Sequence, residues 1–147
     1  MTKKEKIKIF IDGGARGNPG PAALGVVIKG PTGEAIKKYN QFLGTTTNNV
    51  AEYSALIFAL KKIKLIFGKE KIKGLDIEVF SDSQLLVEQM NGRYKILDPK
   101  IQKLFLETRN LKVELPVSEI KYISREENKE TDYLVNQVLD SQQKKLI

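Results

Sequence analysis

Ile7-Lys8-Ile9-Phe10-Ile11-Asp12-Gly13-Gly14-Ala15-Arg16-Gly17-Asn18-Pro19-Gly20-Pro21 is the stretch on which the fold turns. Ile7, Ile9 and Ile11 alternate with Lys8, Phe10 and Asp12, a period of two that predicts a β-strand ending at Asp12. The glycine-rich residues 13–21 then predict a tight turn. They lack the Lys-Ser/Thr ending of a P-loop and no helix stands directly behind them, so the glycines read as turn residues that allow close backbone approach. By strand parity Asp12 shares a face with Phe10 and is expected to leave the sheet beside the core.

Working outward, residues 22–29 and 34–43 predict two further strands across Gly30-Pro31-Thr32-Gly33, giving three antiparallel strands in succession. The polar cluster Thr45-Thr46-Thr47-Asn48-Asn49 offers N-caps to a helix whose apolar Ala51, Ala55, Leu56, Ala59, Leu60 and Ile63 recur at helical spacing, ending near Gly68. Residues 75–82 predict a fourth strand, with Phe80 and Asp82 on one face. Leu85, Leu86 and Met90 open a short helix closed by Gly92, and Pro99 begins another through about Asn110. Residues 117–123 make a fifth strand. The charged loop Arg125-Glu126-Glu127-Asn128-Lys129 leads into a last helix carrying Leu134, Val135, Val138 and Leu139. The order βββαβααβα predicts one α/β domain over residues 1–147, with only the first few residues and the tail 141–147 fraying.

Composition narrows the function classes. At 147 residues, 41% hydrophobic and 29% charged, the chain suits one folded core under a charged surface. No cysteine is present, which rules out disulfides and thiolate metal sites and fits a reducing, cytoplasmic setting. No apolar run approaches the roughly 20 residues of a membrane span, and Met1-Thr2-Lys3-Lys4-Glu5-Lys6 carries no signal-peptide core, so neither export nor anchoring is expected. Twenty-five basic against 18 acidic residues give +7, a field that favours polyanions such as nucleic acid.

Against that basic background, four acidic positions stand out. Asp12 and Asp82 end predicted strands, where open α/β sheets place their ligand sites. Glu52 falls in the first turns of its helix and Asp132 near the start of the last one. Singly, such an acid is more often a cap or turn residue. Four together repel unless cations intervene, and hard divalent ions with oxygen ligands, magnesium or manganese, are the ordinary solution. Two such ions about 3.5–4 Å apart can stabilise the attacking and leaving oxygens of an in-line displacement at phosphorus.

The segments Ile11-Asp12-Gly13-Gly14-Ala15-Arg16-Gly17-Asn18-Pro19-Gly20, Thr47-Asn48-Asn49-Val50-Ala51-Glu52, Ser81-Asp82-Ser83-Gln84 and Arg125-Glu126-Glu127-Asn128-Lys129-Glu130-Thr131-Asp132 together resemble the type 1 ribonuclease H family, over nearly the whole chain. The resemblance implies a ribonuclease H-like fold, a mixed five-stranded sheet with helices on both faces. It also implies an endonuclease that hydrolyses the RNA strand of RNA–DNA hybrids, leaving a 5′-phosphate and a 3′-hydroxyl. Carried over residue by residue, Asp12 would bridge two Mg²⁺ ions, with Mn²⁺ as substitute. Asp132 would complete the site of the ion activating water, and Glu52 with Asp82 would hold the leaving-group ion. Asn48, Asn49 and Gln84 match positions that contact bases from the minor groove, and Thr47 matches part of a phosphate pocket. Backbone near Gly13 and Gly14, with Glu52, would sense 2′-hydroxyls, the feature that separates RNA from DNA. A helix cap is the plainer reading of Thr47-Asn48-Asn49, and the two roles can coexist.

The chain departs from the family in two places. Many members carry a mobile histidine before the last aspartate, and this sequence has no histidine; Arg125, Glu126 or Glu127 lies in the corresponding loop. Some relatives insert a basic, Trp-rich helix after the third motif. Here residues 90–99 are short and Trp is absent, so hybrid binding is expected to be weaker or more salt-sensitive, with Arg93, Tyr94 and Lys95 as candidate substitutes. Lys61, Lys62, Lys64, Lys69, Lys71 and Lys73 read as a solvated face at a helix end. A monomer without a separate hybrid-binding domain is expected. Double-stranded RNA stays open as a second substrate, and a catalytically silent nucleic-acid-binding domain is the rival from another class. The intact acidic set speaks against silence.

Overall fold

A computed structural model describes residues 3–145. Met1, Thr2 and the terminal Leu146 and Ile147, parts of the ends expected to fray, lie outside the described residues. Five strands, β1 (Glu5–Ala15), β2 (Gly20–Lys29), β3 (Ala35–Thr46), β4 (Leu75–Ser81) and β5 (Val117–Tyr122), form one mixed sheet in the order β3-β2-β1-β4-β5. The first three are antiparallel; β4 and β5 run parallel to β1, reached through helices as parallel pairing requires. The helices are α1 (Asn48–Ile72), α2 (Gln84–Met90), α3 (Pro99–Glu114) and α4 (Lys129–Lys145), with a 3₁₀ turn over Arg125–Asn128 in the predicted charged loop. The predicted element order, mixed sheet and two-sided helix packing are those observed.

The alternation in β1 has a direct structural result. Ile7, Ile9 and Ile11 are fully buried under α1, against Tyr53, Leu56, Leu60 and Ile63. The even positions face the other way. Gly14 and Gly25 lie under Val135 of α4, where Ala23, Val135 and Leu139 form a second, smaller core. Farther along that face Phe10 and Phe80 stack with ring centroids 4.9 Å apart, crowned by the ammonium groups of Lys8, Lys29 and Lys121. Asp12 therefore leaves the sheet on the α4 side, opposite the main core, which corrects the expectation from parity alone.

Several boundaries move for identifiable reasons. β1 does not stop at Asp12: Gly13, Gly14 and Ala15 continue to pair with Leu24, Ala23 and Ala22, leaving residues 16–19 as the turn. Only the β4 side of the pairing ends near Asp12, at Ile11 opposite Ser81. β3 runs beyond Leu43 because Gly44, at φ 77°, supplies the left-handed residue of a bulge opposite Ala22 and Ala23. Helix α1 breaks at the expected Gly68 (φ 77°, ψ 165°) and then resumes to Ile72. Helix α3 passes Asn110 to Glu114, carrying Leu111 onto the core. The tail predicted to fray is helical to Lys145.

Candidate active site

Asp12 projects just past the last β1–β4 pair, and Asp82 follows the end of β4, so the parallel strands deliver both carboxylates to one edge. Glu52 arrives from the other face. Thr47 caps α1, its hydroxyl accepting from the Val50 amide at 3.3 Å, and this fixes where the first turns begin. Gly13 lets those turns lie directly on β1: a Cβ there would run into the backbone carbonyl of Ala51 and the amide of Glu52. Its lack of a side chain thus serves close packing, not a turn.

Asp12, Glu52 and Asp82 each offer a carboxylate oxygen within 4.8 Å of the others. Asp12 and Glu52 are each only 8% exposed, and Glu52 Oε2 is buried without a hydrogen-bond partner. Burial, then the charges of Asp82 and Asp132, push the Asp12 carboxyl up to about 8 against an ordinary 3.8; the Gly13 amide and Arg125 act in the opposite sense. Glu52 is held well above its ordinary range by burial and by Asp12 and Asp82. Asp82 is raised by burial, opposed by the Asn128 side chain and Arg125. Three crowded carboxyls and an unpartnered buried oxygen form a donor set that a hard divalent cation fits. Asp132 stands apart from the triad, exposed in the first turn of α4, on the rim of the same depression of about 350 Å³.

Of the expected substrate-contacting residues, Gly13, Gly14, Asn48 and Asn49 line that depression. Thr47 and Gln84 are not among its lining residues; Gln84 is exposed at the first position of α2, beside the lining Ser83. Asn48 is held twice, its Oδ1 accepting from Ala15 N and its own amide donating to Asn18 Oδ1, both at 2.9 Å. Arg125 lines the depression, whereas Glu127 is used in a capping box with Ser124. Arg93 is clamped bidentately by Glu88 at 2.7 and 2.8 Å.

Two contributors escaped sequence reasoning. Asn128 is 1% exposed and donates to the Ile11 carbonyl at 2.8 Å, pinning the 3₁₀ turn to the strand that carries Asp12. Arg16 donates to Gln143, Asn136 and Asp140, tying the β1–β2 turn to α4. The i, i+4 and i, i+7 spacing of its three acceptors was the available signal, but their partner lies more than a hundred residues away.

The sequence pattern of the Reverse transcriptase-like family matches residues 10–138. The solved structure of LC11-RNase H1 in complex with an RNA/DNA hybrid is 42% identical, with a TM-score of 0.86 over 92% of this chain and 97% of that one. The N-terminal RNase H domain of a Mycobacterium tuberculosis protein gives 32% identity and a TM-score of 0.87 over 98% and 100%. Ribonuclease HI of Halobacterium salinarum is 36% identical over 135 residues, 92% of this chain. The chain spans 65% of that relative and 36% of the full-length bifunctional M. tuberculosis protein. With a family match across nearly its whole length, a relative named ribonuclease HI at 36% identity and the same fold as solved RNase H1 structures, the chain belongs to the type 1 ribonuclease H family.

Proposed function

We propose that this chain is a metal-dependent endonuclease that hydrolyses the RNA strand of RNA–DNA hybrids. The observation that carries the reading is the triad of Asp12, Glu52 and Asp82, gathered within 4.8 Å and left with an unsatisfied buried oxygen. LC11-RNase H1, crystallised with an RNA/DNA hybrid, supports the same substrate here. Magnesium, with manganese as substitute and two ions per site, is the cofactor this donor set suits best. When bound, such ions supply acidity to the attacking water and neutralise charge on the leaving oxygen, yielding a 5′-phosphate and a 3′-hydroxyl.

The chain's own residues divide the remaining work. Asp12, Glu52 and Asp82 hold the cations, and Asp132 completes the set from the rim. Asn48 and Asn49 read the minor groove, with Gln84 at the margin and Thr47 next to a DNA-strand phosphate. Asn48 is oriented for this by Ala15 and Asn18. Backbone at Gly13 and Gly14 meets the 2′-hydroxyls that mark the RNA strand. Arg125, exposed beside the acids, takes the histidine's place in easing product departure. The enzyme is proposed to act as a monomer in the cytoplasm, a setting its lack of cysteine suits.

The test is cleavage of end-labelled RNA–DNA hybrid, double-stranded RNA and double-stranded DNA with Mg²⁺, Mn²⁺ or EDTA, alongside Asp82→Asn. Metal-dependent cutting of RNA in the hybrid, abolished in the variant, is expected. Cutting of double-stranded RNA would widen the substrate class. A hybrid that is bound but survives both metals would make the chain a binding module.

A further inference from the structure

Tyr53 follows Glu52 directly on α1 and is fully buried. Leucine or phenylalanine would fill such a core position without bringing a hydroxyl that has to be satisfied there. That hydroxyl lies 2.9 Å from Oε1 of Gln89, which is on α2 and itself only 7% exposed, and Nε2 of Gln89 lies 3.4 Å from the Lys95 carbonyl. A carbonyl only accepts, so the amide turns Nε2 to Lys95 and Oε1 to Tyr53, whose phenol therefore donates. Burial pushes the phenol up to about 12, so it keeps its proton throughout the neutral range. Two buried polar side chains thus join the helix that carries Glu52 to a surface loop.

The loop, residues 91–98, is held at several points. The Arg93 side chain is clamped by Glu88, and the amides of Arg93 and Tyr94 donate to the Glu88 carbonyl at 2.8 and 3.2 Å. Gln102 donates to the Ile96 carbonyl at 2.8 Å. These ties stay within α2, the loop and α3, whereas the one through Gln89 continues into α1. Core packing alone does not call for it, since Leu86, Val87 and Met90 already bury the inner side of α2. With Arg93 neutralised by Glu88, the loop presents Tyr94, 47% exposed, and Lys95, also exposed and without an ion pair among the described residues. Helix α2 begins two residues after Asp82 and rises about 10 Å over its 7 residues, so this pair stands beside the acids and not among them. An exposed ring next to an unpaired ammonium suits a sugar and a phosphate of a nucleic-acid backbone.

We infer that Tyr53 and Gln89 are positioning residues for hybrid binding: their hydrogen bonds set where Tyr94 and Lys95 stand relative to Glu52, so that this pair engages the backbone of the hybrid while the scissile phosphate lies over the acids. The inference rests on the proposed substrate, and all four residues lie outside the segments that carry the family resemblance.

The test uses the whole protein, well below its melting temperature, with two readouts: the Kd of a labelled RNA–DNA hybrid in EDTA, by anisotropy, and steady-state KM and kcat with Mg²⁺. Tyr53→Phe leaves Gln89 Oε1 buried without its donor; it should lower Tm and raise Kd and KM about three- to tenfold, with kcat holding within about twofold. Tyr53→Phe/Gln89→Leu removes both polar partners, so Tm should recover toward wild type while Kd and KM stay raised, because the tie to Lys95 is gone. Tyr94→Ala/Lys95→Ala should raise Kd and KM at least about threefold, and adding Tyr53→Phe to it should change them no further. Unchanged Kd and KM in Tyr53→Phe overturn the inference. So do values that return to wild type together with Tm in Tyr53→Phe/Gln89→Leu, which would make the pair structural only, and so does additivity in the triple variant. A wild type that binds the hybrid but cuts it with neither metal removes the nuclease reading, and the Kd comparisons still decide this one; a wild type that does neither overturns both.

Discussion

Removing the Asp12 carboxylate should stabilise the metal-free protein at neutral pH. In the folded chain burial and the neighbouring acids push this carboxyl to about 8, whereas an unfolded chain titrates it at its ordinary 3.8. Between those values the folded state keeps a proton that the unfolded state has released, so stability falls as pH rises, by about 1.4 kcal/mol per pH unit for one proton. From pH 5 to pH 7 that is about 3 kcal/mol from Asp12 alone, levelling off as the pH passes its folded value. Glu52 and Asp82, raised for the same physical reasons, steepen the slope. Glu34, Glu88 and Glu130 are lowered, so their contributions are lost only on acidification below the ordinary carboxylate range and are flat here. Asp12→Asn removes one titrating group and part of the repulsion. Urea unfolding in EDTA at pH 5, 6, 7 and 8 should show the variant's slope reduced by about 1.4 kcal/mol per unit and its stability at pH 7 raised by about 2–4 kcal/mol. Adding Mg²⁺ at pH 8 should stabilise the wild type and not the variant, because only a cation-binding fold gains by mass action. Parallel pH profiles for the two proteins would refute the crowded-carboxylate reasoning.

Further outcomes follow from the packing. Gly13→Ala forces a methyl group into the Ala51 backbone and should destabilise by about 1–3 kcal/mol while lowering kcat, measured by denaturant melts and hybrid turnover. Arg16→Gln frees the β1–β2 turn from α4; an exposed clamp of this kind is worth about 1 kcal/mol or less, so the larger effect expected is a raised KM for hybrid at nearly constant kcat, because Asn48 leans on that turn. Leu60→Ala empties a fully buried position and should cost about 2–5 kcal/mol, with activity retained at low temperature.

Periodicity and punctuation made most of the architecture legible. The Ile7-Ile9-Ile11 alternation, the helical spacing after Thr47 and the break at Gly68 all correspond to real features. What misled was glycine. Gly13 reads as the start of a turn because the residue type favours turns, and the predicted third strand stops at Leu43, just short of Gly44; yet one glycine is required by a helix packed against it and the other by a bulge inside a continuing strand, and both causes are tertiary. At the site, strand ends pointed to Asp12 and Asp82, and the fourfold pattern brought in Glu52 and Asp132. Distance in sequence concealed the rest. Arg16 meets α4 across more than a hundred residues, and buried Asn128 looked like one polar residue in a charged loop until its amide was found on the Ile11 carbonyl.

Asp12 lies in the sheet and Asp82 directly follows strand β4, but Glu52 descends from the helix on one face and Asp132 from the helix on the other. The proposed nuclease activity is thereby made an interlock between three layers. An ensemble that has docked α1 onto the strands but not α4 retains the acidic triad and lacks the fourth acid, and one missing α1 loses Glu52. On the proposed function, partly assembled molecules are silent toward RNA, and turnover reports the completeness of tertiary docking more stringently than helix content does.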